Sequence, residues 1–364
     1  MSSRKLGGSN DRRWNRQVKR ESEIVLLCNP RAGGRWKELA RIFDSEEAQH
    51  VRRIVTDSVE DIAPAVRGLG DDARLLCIYG GDGTIQRILD HIFDNGNLNE
   101  DTVLALLGGG TMNVTSRWLG FGSSPGNNFN HVVSSFRSGD LLLKQVPLME
   151  VRVGDKVHHG FTFGIGPIVR ILDAYENGKK GKPAALKLGA QCVAGAFFGM
   201  GSQDMFEQME AKVTLDDEVL PFGKFATVFS NVTGQINPGV EPFTSDRTRD
   251  SFHTAAYAVS AREFAMNLPF IMRGALPIDV SGMLKKWSKG RISEPLDTDA
   301  RYVNRPAKRL LIETDEPIYT VDGEILQKPD GPIEITIGPT LQLAVGPQAS
   351  LGQTLQAAKS ALRR

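Results

Sequence analysis

The chain has 364 residues, of which 40% are hydrophobic, and its 44 Lys and Arg residues are balanced by 43 Asp and Glu. This length exceeds a single ordinary core, so we expect two domains. The balanced charge excludes a generally basic nucleic-acid binder, and no apolar run approaches the ~20 residues needed to cross a bilayer.

The two ends of the chain differ in composition from the rest. Residues 1–20 contain seven basic residues, one acidic residue and almost no apolar side chains. Such a segment buries too little apolar surface to fold, so we expect a disordered basic tail over 1–22. It also lacks the apolar stretch of a signal peptide. At the other end, residues 347–364 are expected to form a short helix or tail.

Residues 23–143 alternate between apolar strand-like runs and amphipathic helices. This alternation predicts an α/β doubly wound domain, in which ligands bind at the carboxyl ends of the strands. The predicted elements are strands at 23–28, 51–56, 75–79 and 102–107, with helices at 36–47, around Ile62–Leu69 and from Thr84 onwards.

The most informative segment follows the third strand and reads Gly80-Gly81-Asp82-Gly83-Thr84. Glycines let main-chain N–H groups approach a phosphate, and the helix that follows adds its positive N-terminal end. Asp82 would repel phosphate, so its presence indicates a Mg²⁺ ion between the carboxylate and the phosphates. A second glycine loop, Gly108–Asn113, follows the fourth strand and should lie beside the first.

After residue 143 the pattern changes to alternating strands separated by turns. We predict an antiparallel β domain over 144–346, arranged as a sandwich. The predicted strands are 144–153, 156–163, 211–215, 225–231, 253–259, 309–314, 318–321 and 333–345, with helices near 169–177, 186–198, 261–273 and 282–289.

Other side chains give weaker signals. Cys28, Cys77 and Cys192 have no metal-binding spacing and are expected to be buried, reduced thiols of a cytoplasmic protein. The segment Met283–Arg291 mixes apolar residues with four cations, which fits either an anionic bilayer surface or an ordinary surface helix. Lys179, Lys180 and Lys182 fit either a lid or a solvated loop.

Taken together, three glycine motifs resemble the diacylglycerol kinase catalytic domain family of lipid kinases, which includes sphingosine kinases. These motifs begin at Asn29, Gly80 and Gly109, and the late sequence Asp322-Gly323-Glu324 also looks like a family landmark. The resemblance runs from about residue 23 to residue 346. It implies a nucleotide site in the cleft between the two domains. Gly80–Thr84 alone is shared with NAD kinases, so the whole set carries the resemblance.

The resemblance also implies a set of site residues. The residues expected at the ATP site are Asn29, Pro30, Gly33, Gly34, Thr56, Gly80, Gly81, Asp82, Gly83, Thr84, Gly110, Thr111 and Asn113. Asp82 would hold magnesium through Mg-ATP, and Asp250 is a weaker candidate for a structural magnesium ion. Catalysis would involve Asp82, Asp322 and Glu324, with one of the last two as general base. Asp322-Gly323 is equally a hairpin-turn signal.

The implied activity is ATP-dependent phosphorylation of a diacylglycerol- or sphingoid-type lipid by a cytoplasmic enzyme that visits the membrane transiently. No nucleic-acid partner is expected, and a homodimer remains open. An NAD kinase-like enzyme and a non-catalytic nucleotide- or lipid-binding protein are the alternatives. Val114 stands where many family members have Asp, which favours the non-catalytic alternative.

Overall fold

The structure is a computed structural model. It describes residues 12–13, 23–32, 36–95, 98–99, 101–110, 113–167, 169–170, 173, 207–236, 240–279, 284, 288 and 297–348. The chain divides into two compact units, one formed by residues 1–146 and 340–364 and the other by 147–339. The sequence predicted boundaries at 143 and 346. Both observed divisions lie at a proline, Pro147 and Pro339, each within a long strand.

The first unit contains a parallel sheet. Its strands are β2 (Ile24–Cys28), β3 (Arg52–Val55), β4 (Leu75–Tyr79) and β5 (Val103–Leu106), in the order β3-β2-β4-β5. All residues of β2 and β4 are buried, as expected for parallel strands covered on both faces, whereas the edge strand β3 alternates. This confirms the predicted α/β domain.

Helices cover this sheet. They are α1 (Trp36–Phe43), α2 (Ile62–Arg67), α3 (Asp82–Asn95), α4 (Val114–Trp118) and α5 (Pro125–Ser138), with a 3₁₀ turn at Glu46–Ala48. Helix α1 packs against α5, and α2 packs against α3. Helix α3 begins at Asp82, two residues earlier than expected, so the glycine loop runs directly into its first turn.

The second unit consists of antiparallel strands, as predicted, and contains a helix, α6 (Ala261–Ile271). Its strands are β6 (Leu142–Val153, shared with the first unit), β7 (Lys156–Gly160), β8 (Thr162–Ile165), β9 (Met209–Leu215), β10 (Glu218–Val219), β11 (Lys224–Phe225), β12 (Thr227–Asn231), β13 (Phe252–Tyr257), β14 (Tyr302–Ala307), β15 (Arg309–Thr314), β16 (Ile318–Val321), β17 (Glu324–Gln327) and β18 (Ile333–Ala344, also shared). Six of them form one sheet in the order β14-β13-β12-β8-β16-β17.

Several predicted elements differ from the structure. The strand expected over 156–163 is two strands. Strand β7 pairs with β6, and at Phe161 the chain leaves β6 and enters the six-stranded sheet as β8. Two elements, α5 and β14, were not predicted from the sequence. In the N-terminal segment, Arg12 and Arg13 form a short strand, β1, that pairs with Leu143 and Leu142, so those two residues are not a disordered tail.

No helix in the described residues has the length and apolar character needed to span a bilayer. Cys28 and Cys77 are buried free thiols, as expected, and burial raises the pKa of Cys28 to about 12. Cys192, the loop from Tyr175 to Lys182, the helix predicted at 186–198 and residues 349–364 lie outside the described residues.

Candidate functional site

The predicted nucleotide-binding residues of the first unit meet at the carboxyl edge of the parallel sheet. Asn29 follows β2, Thr56 follows β3, and the two glycine loops follow β4 and β5. The Asn29 side-chain amide donates a hydrogen bond to the Thr84 hydroxyl at 3.2 Å, which joins the first motif to the second. Thr56 is buried, and its hydroxyl donates to the Cys28 carbonyl at 3.3 Å.

The two glycine loops are in direct contact. The N–H of Gly109 donates to the carbonyl of Gly80 at 2.7 Å. A Cβ placed on Gly110 would lie 2.7 Å from the Cα of Gly81, and one on Gly80 would lie 2.7 Å from the Thr84 methyl carbon. Real Cβ atoms do not approach other atoms this closely, so these positions require glycine. The loops therefore present main chain without side chains, which suits a phosphate.

Asp82 connects the two loops. Its Oδ1 accepts a hydrogen bond from the Val114 N–H at 3.1 Å, although the two residues lie 32 positions apart. Burial raises the pKa of the Asp82 carboxyl above its ordinary value. The N–H groups of Asn113 and Val114 and the charge of Arg117 act in the opposite direction, but burial has the larger effect. The ionised carboxylate is thus held in a site that disfavours its charge, as is common at functional sites.

An Asp82→Asn variant is expected to have a higher Tm than the wild type near neutral pH. When folding raises the pKa of a carboxyl, the protonated group stabilises the folded state below the unfolded pKa of about 3.9. This stabilisation is lost as the pH rises through the pKa of the folded state. Removing the charge should therefore stabilise the free protein near pH ~7, and the gain should shrink towards pH ~4. Thermal unfolding across this range, with the exposed Asp71→Asn as control, measures the effect. A lower Tm for Asp82→Asn at neutral pH would mean that the bond to Val114 stabilises more than burial destabilises.

Asn113 closes the second glycine loop. It has a left-handed backbone, with φ of 49°, and its side-chain amide donates to the carbonyl of Gly110 at 2.8 Å. Its buried Oδ1 accepts no hydrogen bond in the described part of the chain. A buried acceptor without a donor is costly, so Asn113 Oδ1 is a candidate to accept a bond from a group that the described chain does not supply.

Val114 affects the site through its backbone. Because this position is Val and not Asp, one carboxylate is absent from the site. The Val114 N–H still donates a hydrogen bond to Asp82, and this bond does not depend on the side chain at position 114. This contribution was not predictable from the sequence, because a side-chain motif does not reveal a main-chain donor. Of the other predicted residues, Pro30 is partly exposed, Gly83 and Thr84 lie in the first turn of α3, and Gly33, Gly34 and Thr111 lie outside the described residues.

In the second unit, Asp322 and Gly323 form the tip of the hairpin between β16 and β17. Both have positive φ, 51° and 86°, and Val321 pairs with Glu324 across the turn. Positive φ at both central residues is the geometry of a type I′ turn, for which Asp-Gly is a preferred sequence. The hairpin prediction is therefore correct, and Glu324 is the first, partly exposed residue of β17.

The Asp322 carboxylate holds the point where the chain changes sheets. It accepts hydrogen bonds from the N–H groups of Phe161 and Thr162 at 2.9 and 2.8 Å. A Cβ on Gly160 would lie 2.4 Å from a Val321 methyl carbon and 2.9 Å from Asp322 Oδ2, so glycine is required there too. The sequence did not predict that Asp322 contacts Gly160, Phe161 and Thr162. The signal available for this contact was Gly160 itself, a glycine at the end of a strand.

Asp250, the candidate for a structural magnesium site, is paired with other groups. Its carboxylate lies 2.5 Å from the Lys308 ammonium and accepts from the Thr248 hydroxyl at 2.6 Å. These bonds lower its pKa to about 2. Within the described residues, no three His, Cys, Asp or Glu side chains come close enough together to hold a metal ion. Asp250 is thus neutralised by Lys308, and the geometry gives the magnesium assignment no support.

Comparison with known proteins bears on the first unit. Residues 23–142 match the family model of the diacylglycerol kinase catalytic domain. The match confirms the resemblance seen in the sequence, and it indicates a kinase. The match ends at residue 142, so the roles suggested for Asp322 and Glu324 stay predictions. None of the curated proteins compared with this chain matches it in sequence.

Solved structures support the same fold for the kinase domain and the antiparallel unit. A structure from Bacillus anthracis str. Sterne, described as a candidate diacylglycerol kinase, has a TM-score of 0.61 at 18% identity, covering 89% of this chain and 98% of the other. A second, described as a diacylglycerol kinase from the same organism, has a TM-score of 0.57 at 16% identity, covering 89% and 97%. At this identity the likeness establishes the fold alone.

Proposed function

We propose that this protein is an ATP- and Mg²⁺-dependent lipid kinase. It would transfer the γ-phosphate to a hydroxyl of a diacylglycerol- or sphingoid-type lipid. The observation that carries the proposal is the contact between the two glycine loops, in which Gly110 has no room for a Cβ beside Gly81. Two loops of bare main chain at one sheet edge, within a segment of a kinase family, are suited to the phosphates of a nucleotide.

The residues present fit ATP. Main-chain amides of the loops and the first turn of α3 offer N–H donors to phosphate oxygens, so no Walker A lysine is needed, and the sequence contains none. The Asn113 Oδ1, which lacks a donor within the described residues, would accept a bond from a nucleotide hydroxyl or its water. Asn29 would align Thr84 through their side-chain hydrogen bond.

The residues also fit a magnesium ion that arrives with the nucleotide. Mg²⁺ prefers one or two carboxylates together with waters and substrate phosphates. Asp82 supplies one carboxylate at the loops, and its raised pKa reflects a burial that a nearby cation would offset. When bound, the ion would neutralise charge on the transferring phosphoryl group.

Glu324 is the better candidate for general base of the two hairpin carboxylates. Asp322 already accepts bonds from two main-chain N–H donors, so its oxygens serve to hold Phe161 and Thr162. Glu324 is partly exposed at the start of β17, directly beyond the rigid turn. In this proposal Asp322 positions the hairpin, and Glu324 removes the proton from the lipid hydroxyl.

Transfer of radiolabelled γ-phosphate from Mg-ATP tests the function. The acceptor panel is detergent-dispersed diacylglycerol, monoacylglycerol, ceramide and sphingosine, together with NAD, each assayed with and without Mg²⁺. We expect Mg²⁺-dependent label on one lipid class. Protein carrying Glu324→Gln, purified in the same way, controls for contaminating kinases.

The remaining outcomes of this assay contradict the proposal. Label on NAD alone would show an NAD kinase-like enzyme. Absence of transfer to every acceptor, while calorimetry still detects ATP binding, would show a nucleotide-binding protein without lipid kinase activity. Transfer that proceeds equally well with excess chelator would remove magnesium from the mechanism.

A further inference from the structure

Exposed apolar side chains are concentrated on and after helix α6. In the described residues, five of the eight large exposed hydrophobic side chains fall between positions 266 and 284: Met266, Phe270, Met272, Ile278 and Leu284. Single exposed apolar residues are ordinary on a protein surface, but a local concentration marks an interaction site.

Helix α6 has apolar residues on two faces. Its inner face carries Phe264 and Ile271, which pack on a buried cluster around Tyr257. Met266 and Phe270 lie one turn apart on the outer face, where their side chains are 53% and 59% exposed. The core therefore does not account for the apolar character of the outer face.

Cations share this outer face. Arg262, Met266, Phe270 and Arg273 are spaced at four, four and three residues, which places them on one side of a helix and the turn that follows it. All four are exposed. Exposed apolar side chains with arginines beside them suit a membrane interface, where the apolar groups enter the bilayer and the arginines meet anionic headgroups.

Two acidic side chains next to this face, Glu263 and Asp299, share one arginine, which offsets part of their charge. Arg301 donates hydrogen bonds to Glu263, at 3.0 Å through Nη1, and to Asp299, at 2.6 Å through Nη2. The Arg301 guanidinium lowers the pKa of the Asp299 carboxyl. The repulsion that they would exert on an anionic surface is thereby reduced.

An open cavity of about 740 Å³ adjoins the outer face. Phe270 and Ile278 both contribute to its lining, with Leu276 and Pro277 beside them, so the exposed apolar surface continues from the helix into one part of the cavity. The rest of the lining is mostly polar and includes Glu263, Asp279, Asp299 and Arg301. The apolar part adds area that contact with a hydrocarbon phase would remove from water.

We propose that the outer face of α6, formed by Arg262, Met266, Phe270 and Arg273, docks on an anionic lipid bilayer. Met266 and Phe270 enter the interface, and the two arginines face the anionic headgroups. This inference rests on the proposed lipid kinase function, because such an enzyme must collect its acceptor from a membrane. A second copy of the chain would also cover an apolar face, but the two arginines favour an anionic surface.

Vesicle sedimentation without ATP tests the docking separately from catalysis. The vesicles are phosphatidylcholine with and without phosphatidylglycerol. We expect the wild type to bind the anionic vesicles and Met266→Gln/Phe270→Gln to bind at least about tenfold more weakly. The matched control is Val219→Gln, since Val219 is 52% exposed in the same unit but lies on β10. It should bind like the wild type, and all three proteins should unfold at similar temperatures.

A fluorescent probe then locates the contact. Phe270→Trp should show a blue-shifted emission with anionic vesicles and quenching by brominated lipid, whereas Val219→Trp should show neither change. Equal vesicle binding by wild type and the double variant, or no binding by the wild type, would overturn the proposal. So would a wild-type dimer that the double variant converts to monomers. Vesicle binding without phosphate transfer would refute only the enzyme function.

Discussion

Replacing Glu324 by Gln is expected to lower kcat by about 10²- to 10⁴-fold, the range contributed by a positioned general base. Affinity for ATP and Tm should remain close to the wild-type values, because Gln keeps the size of the side chain and Glu324 is partly exposed. Label transfer under saturating ATP measures kcat, calorimetry measures nucleotide binding, and thermal unfolding measures Tm.

Asp322→Asn provides the contrast within the same hairpin. Asn tolerates the left-handed backbone of position 322, so the turn should still form. Its side-chain carbonyl oxygen can still accept from the Phe161 and Thr162 N–H groups, as Oδ1 does, but its NH2 group cannot accept the second bond that Oδ2 takes from the Phe161 N–H, and the negative charge is lost. We expect a loss of about 1–3 kcal/mol of stability together with reduced activity.

The two variants separate the role of a base from that of a positioning residue. A fall in kcat without a fall in Tm is expected for Glu324→Gln, and a fall in both for Asp322→Asn. If Glu324→Gln keeps its activity while Asp322→Asn is stable and inactive, the assignment is reversed and Asp322 is the base. If both retain full activity, the hairpin takes no part in the chemistry.

The parallel sheet and its glycine loops were predictable because the relevant signals are local. Continuous apolar runs such as Ile24–Cys28 indicate strands that are buried on both faces. Glycines that directly follow such a strand indicate a loop at its carboxyl end. Since the carboxyl ends of parallel strands share one edge, the meeting of Asn29 with Thr84 followed from the fold class alone.

Helix α5 was missed although its signals are present. Ser124 caps it by accepting the Asn127 N–H, Pro125 occupies the first turn, and Gly139 ends it with a φ of 79°. These are standard start and stop residues, and its buried Phe129 and Phe136 fit a helical period. Strand β14 was harder to detect, because its Asn, Arg and Pro residues are uncommon in strands, and its Pro is tolerated at the edge of the sheet, where β14 lies.

The change of sheet at Phe161 could not be predicted from the sequence. A period of two residues is the same whether a strand continues in one sheet or passes into another. What fixes the change is the Asp322 carboxylate, 161 residues away in the chain. The bond between Asp82 and Val114 was equally out of reach of the sequence, because the N–H that Asp82 accepts belongs to the first residue of α4, 32 positions away in the chain.

Gly110→Ala is expected to disrupt the nucleotide site and the unit that contains it. The new Cβ would lie 2.7 Å from the Cα of Gly81, and a normal contact needs about 1 Å more, so the two loops must separate. We expect a loss of about 1–3 kcal/mol in the free energy of unfolding, as for other overpacked sites. Separation should also displace the Gly109 N–H from the Gly80 carbonyl, and ATP affinity should fall at least about tenfold.

Two other glycines show whether this effect arises from the contact or from the loss of any glycine. A Cβ on Gly81 would meet the Cα of Gly110 at 3.5 Å, an ordinary distance, and one on Gly223 would meet nothing within 4 Å. Gly81→Ala and Gly223→Ala should therefore unfold at nearly the wild-type temperature. If Gly110→Ala is as stable as Gly81→Ala and binds ATP normally, the loops are not in contact in solution. The central observation behind the proposed nucleotide site would then be lost.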